Sequence, residues 1–101
     1  MQQTSKIDLK GKLEDRGSGF RSGTDPVVVE LQGGNTLLVL FQKDVGMLQV
    51  AVIGPQGQVY TAEVNTGTSS ALTIPLAGLP AGNYSVSFSG EAGMMWGEFE
   101  V

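Results

Sequence analysis

Leu48-Gln49-Val50-Ala51-Val52, then Gly54-Pro55-Gln56-Gly57, then Gln58 to Val64: these residues write out a strand, a turn and a second strand. Leu48, Val50 and Val52 recur at every second position, which collects them on one side of an extended chain. The intervening glycines and proline suit a tight reversal, because glycine reaches positive φ without steric cost. Two strands joined this way run antiparallel, and one face of the pair is apolar.

The same period repeats on both sides of this hairpin. Toward the N-terminus, Thr36 to Phe41 is apolar on both faces, as expected of a central strand or one whose outer side is covered. Val27, Val29 and Leu31 alternate with Glu30 and Gln32, and Ile7, Leu9 and Leu13 alternate with Lys6, Asp8, Lys10 and Lys12. Toward the C-terminus come Leu72, Ile74 and Leu76, then Tyr84, Val86 and Phe88 against Ser85, Ser87 and Ser89, then Met94 to Val101. Turn formers separate the runs at Gly33-Gly34-Asn35, Lys43-Asp44-Val45-Gly46, Asn65-Thr66-Gly67 and Gly90-Glu91-Ala92-Gly93. No window carries a helical period with conviction. Short strands at roughly ten-residue spacing predict an all-β, immunoglobulin-like antiparallel β-sandwich of about seven or eight strands. The expected core is Val29, Leu48, Val50, Val52, Leu72, Ile74, Tyr84, Val86 and Phe99. Pro75 lacks a backbone donor and places the strand around Ile74 at a sheet edge or ends it there.

Composition sets the outer limits. The chain has 101 residues, 41% apolar and 16% charged, with 15 glycines, the profile of one turn-rich globular domain spanning residues 1–101. A chain of this length buries roughly two-thirds of its unfolded surface, enough for a core without disulfides. Its formal net charge is -4, and every lysine and arginine lies at or before Lys43. Binding to nucleic acid or to an anionic membrane needs clustered cations, so neither partner is expected. The chain has no histidine and no cysteine. Zinc sites and Ser-His or Cys-His catalysis are thereby excluded. The longest apolar stretch, Leu37 to Phe41, is far too short for a membrane-spanning helix. Met1 to Lys6 is polar and starts no signal peptide, so the chain is expected to be either cytoplasmic or the mature part of an exported protein whose signal lies outside these residues.

Several segments together resemble domain of unknown function family 3244, immunoglobulin-like domains of exported proteins from gut-dwelling Gram-negative bacteria. The resemblance rests on Ile7-Asp8-Leu9-Lys10-Gly11, on Arg21-Ser22, on the run Leu76-Ala77-Gly78-Leu79-Pro80-Ala81-Gly82-Asn83-Tyr84, and on the closing Gly97-Glu98-Phe99-Glu100-Val101. It implies a fold and an export route but no chemistry, since no activity is assigned to the family. The chain is also distantly similar to the C-terminal sorting domains of type IX secretion, which share a late Leu-x-x-Gly-x-Tyr pattern, here Leu79 to Tyr84.

Four residues are candidates for a binding surface: Trp96, Met94, Phe20 and Arg21. If Phe99 and Val101 point inward, alternation turns Trp96 outward beside Met94, and the pair forms an apolar patch. A bulge at Gly97 would instead bury Trp96, and the usual core position of a lone tryptophan in a small β domain favours that reading. Phe20 lies in the long irregular segment Glu14 to Asp25, where it could meet a partner or, more simply, plug an end of the sandwich. Arg21 could grip a carboxylate, with Asp25 or Glu14 as the nearest intramolecular choices. Asp15, Asp25 and Asp44 lack the spacing of a calcium loop. Tyr84 is expected at a sandwich corner, its ring inward and its hydroxyl on a nearby backbone group.

These readings converge on an exported, non-enzymatic interaction or adhesion module at the cell envelope, with no catalytic, cofactor-binding or metal-ligating residues. Its partner would be an envelope protein or a polysaccharide, and self-association through edge strands is open to it. The alternative is a sorting or accessory domain of a longer secreted protein.

Overall fold

Strands with one apolar face and no helix to cover it bury that face by packing sheet on sheet, and the described residues do this with nine strands. The computed structural model describes residues 4–13, 26–33 and 35–101. The strands are β1 (Thr4–Ile7), β2 (Lys10–Leu13), β3 (Val27–Gln32), β4 (Thr36–Phe41), β5 (Met47–Gly54), β6 (Gly57–Asn65), β7 (Ala71–Pro75), β8 (Asn83–Gly90) and β9 (Gly93–Glu100). One sheet has four strands in the order β1-β3-β4-β7, the other five in the order β2-β9-β8-β5-β6. All pairings are antiparallel. This is the immunoglobulin-like sandwich that the spacing predicts.

The count exceeds the expected seven or eight because the first run, Ile7 to Leu13, is two strands and not one. β1 pairs with β3 in the four-stranded sheet, and β2 pairs with β9 in the other. The chain changes sheets at Asp8-Leu9, directly over Gly97. A Cβ on Gly97 would lie 2.6 Å from the Asp8 carbonyl oxygen and 2.9 Å from both Ile7 and Leu9 side chains. Gly97 is therefore the gap through which the crossover passes. The β8–β9 register runs through it unbroken, with Val86 opposite Gly97, so the bulge that would bury Trp96 does not form.

Inside, Val29, Leu37, Val39, Leu48, Val50, Val52, Ile74, Val86 and Phe88 are fully buried. Phe41 of β4 meets Phe88 of β8 edge to face at 6.4 Å, joining the two sheets across the core. Of the expected core, only Leu72 is incompletely covered, because β7 is the edge of its sheet. Pro75 ends that edge strand, where its missing donor costs no ladder bond. β4 is an inner strand, as its apolar character on both faces requires.

The loop between β4 and β5 is held by a group that the sequence pattern does not mark. Thr66 is buried, and its hydroxyl accepts from the Val45 amide at 2.8 Å while donating to the Gly46 carbonyl at 2.7 Å. That pair of bonds lets Val45 plug the end of the core.

Candidate functional site

Register decides which side chains share a face, because residues directly opposite in an antiparallel ladder point the same way. On the five-stranded sheet, the outward side chains fall into rows that cross the strands. One row is Lys12-Met94-Ser89-Gln49-Glu63, read from β2 through β9, β8 and β5 to β6. The next is Lys10-Trp96-Ser87-Ala51-Thr61, and a third holds Glu98, Ser85 and Ile53. Met47 lies opposite Asn65 at one end.

Five large apolar side chains are exposed among the described residues, namely Met47, Ile53, Val59, Met94 and Trp96. All five belong to strands of this sheet and none to the other, and the rows place Met47, Ile53, Met94 and Trp96 on its outer face. Between the Met94-Trp96 pair on β9 and the side chains of β5 runs a column of small groups, Ser85, Ser87 and Ser89 of β8. The face thus has a ridge, a low centre and a far side.

Trp96 is 40% exposed and Met94 48% exposed, so strict alternation, and not a bulge, governs the last strand. The indole is seated. Gly11 on the edge strand β2 has φ +94°, and a Cβ there would lie 2.8 Å from the Trp96 ring. An edge glycine covered by a cross-strand aromatic gains shielding for its backbone, and the ring gains a fixed orientation. Charges frame this seat: Lys10 and Lys12 on β2, Glu98 further along β9.

Two of the open depressions reach side chains of these rows. One, of about 590 Å³, lies at the β5–β6 end, lined by Met47, Gln49, Glu63 and Ser89 with the β8–β9 turn. The other, of about 440 Å³, follows the β1–β2 crossover past Lys10, Trp96 and Glu98. Neither brings together a group of acidic residues able to hold a metal ion among the described residues. The Asp44 carboxylate instead accepts from the Gly46 amide at 3.0 Å, while Asp15 and Asp25 lie outside the described residues. Phe20 and Arg21 also lie outside them.

Tyr84 takes the inward, structural place expected of it. It is buried, stacks on Phe99 at 5.9 Å and donates its hydroxyl to the Pro80 carbonyl at 2.6 Å. Met47, Ile53, Lys10, Lys12 and Glu63 also belong to the Trp96 surface, which their sequence positions do not reveal. Their parity within each strand was readable, but the register that aligns them was not.

Comparison with known proteins bears on the fold and the family. The family model described as a domain of unknown function, DUF3244, matches residues 6–101. A solved crystal structure from Bacteroides vulgatus, described as a DUF3244 family protein with an immunoglobulin-like β-sandwich fold, superimposes with a TM-score of 0.80. The two are 20% identical, and the match covers 98% of this chain and 99% of that one. No curated protein matches the chain. Among the described residues, no helix is long and apolar enough to cross a membrane.

Proposed function

The chain belongs to the DUF3244 family, and from that premise we propose that it is an exported, non-enzymatic interaction or adhesion module of the bacterial cell envelope. The observation that carries the reading is the gathering of the large exposed apolar side chains on the five-stranded sheet. Scattered exposed apolar residues need no explanation, but their gathering on one sheet, with a seated tryptophan and an adjacent methionine on its ridge, has the form of a recognition surface. The absence of histidine and cysteine from the sequence and the openness of the depressions argue for binding in place of catalysis. Export is what the family resemblance implies.

The test is capture from envelope extract and from purified envelope polysaccharides, with the domain and a Trp96→Ala variant of verified fold compared side by side. Specific capture by the native domain, lost in the variant, is the expected result. Equal capture by both, or by neither, overturns the assignment of this face. The second reading, a sorting or accessory domain, draws on the Leu79-x-x-Gly82-x-Tyr84 stretch. The mass of the native protein in host envelope fractions separates the two, since cargo would add to it.

A further inference from the structure

The rows of the five-stranded sheet are complementary to themselves. Consider a twofold axis running along β8, parallel to the strands and above the serine column. It carries β2 of one copy over β6 of the other and β9 over β5, with each row facing its own counterpart. Lys12 then faces Glu63, and Lys10 faces Thr61. Trp96, the largest side chain of the face, comes over Ala51, the smallest on β5. Met94 comes over the hollow lined by Met47, Gln49, Glu63 and Ser89. Ser85, Ser87 and Ser89 meet their own copies on the axis, where small side chains let the sheets approach. No like charges oppose one another: Glu98 faces Ile53. A twofold axis across the strands does worse, since it stacks Trp96 on itself and sets Met94 against Glu98.

We propose that the outer face of the five-stranded sheet is the interface of a symmetric homodimer, two copies packed sheet on sheet with Trp96 of each seated over Ala51 of the other. This rests on the reading of the face as an interaction surface and names its partner. Isologous pairing needs one patch that is both knob and hole, which the Trp96-Ala51 and Lys12-Glu63 relations supply. Aligned sheets commonly pack face to face at about 10 Å. Four strands of eight or nine residues and the four-residue β2, about 4.8 Å apart, offer at most roughly 600 Å² per copy. The total of at most about 1,200 Å² lies at the small end of specific interfaces, so the dimer is concentration-dependent and not permanent.

Sedimentation equilibrium on the intact chain, from micromolar to millimolar at low salt, tests this. The native protein dimerises. Trp96→Ala weakens the dimer roughly 30-fold or more. Lys12→Glu and Glu63→Lys each weaken it about tenfold, because each creates two like-charge contacts per dimer. Mixing these two variants in equal amounts restores association, since each supplies the charge that the other lacks. The charge variants keep the proposal testable should Trp96→Ala fold poorly. A native protein monomeric throughout overturns the proposal, as does a dimer that Trp96→Ala leaves intact or that mixing fails to restore. If the monomer's Trp96 fluorescence responds to an envelope polysaccharide, the dimer fails while the interaction reading stands. A monomer with no such response and no capture in the Trp96-dependent assay removes both.

Discussion

The corner at Tyr84 and the face at Trp96 lie on neighbouring strands of one sheet and use an aromatic ring in opposite ways. Tyr84 on β8 points inward, with Phe99 against its ring and the Pro80 carbonyl on its hydroxyl. Trp96 on β9 points outward, with the backbone of Gly11 beneath its ring. The first ring is surrounded and so works for stability. The second is supported on one side and open on the other, which holds it ready for contact. A ring's service to a fold is read from how many sides are covered, not from its size.

Substitutions test this contrast. The largest effect is expected from Tyr84→Ala, which removes a buried ring, a stacking partner and a hydrogen bond. By analogy with other buried aromatics it costs about 3–5 kcal/mol, read as a lower urea midpoint. Next comes Gly97→Ala, whose added methyl must displace the Asp8-Leu9 crossover, at about 1–3 kcal/mol. A midpoint equal to that of the native protein would show that the crossover is slack. Trp96→Ala in dilute solution stays well below Tyr84→Ala, at about 1–2 kcal/mol, because only one side of the ring is covered and its loss uncovers the Gly11 backbone. A cost as large as that of Tyr84→Ala would make Trp96 a structural residue and erase the distinction between the two regions. Tyr84→Phe keeps the ring and removes only the bond to Pro80, for about 1 kcal/mol.

The Tyr84 corner was legible in the sequence because its parts are local. Leu79 to Tyr84 carries the turn, the acceptor and the ring within six residues. The outer face was half legible. Parity along β9 offered two outcomes for Trp96, and the choice turned on Gly97, whose role depends on residues 7–9, far away in the chain. A glycine in a strand is equally compatible with a bulge and with a close backbone approach, and nothing local separates them. Thr66 escaped notice for the same reason, since its partners Val45 and Gly46 lie twenty or more residues away.

Alternation, turn chemistry and composition were enough for the fold class, the positions of the turns, the inward sets of β3, β5, β7 and β8 and the exclusion of imidazole and thiolate chemistry. Each of these depends on periods of two residues, on local backbone preference or on composition. The tertiary structure alone decided that the first run crosses between sheets, that Gly97 is the gap it crosses, and that Lys12, Met94, Gln49 and Glu63 form one row. Alternation assigns a residue to a side of its own strand, while register and sheet order join strands distant in the chain through packing that no single segment encodes.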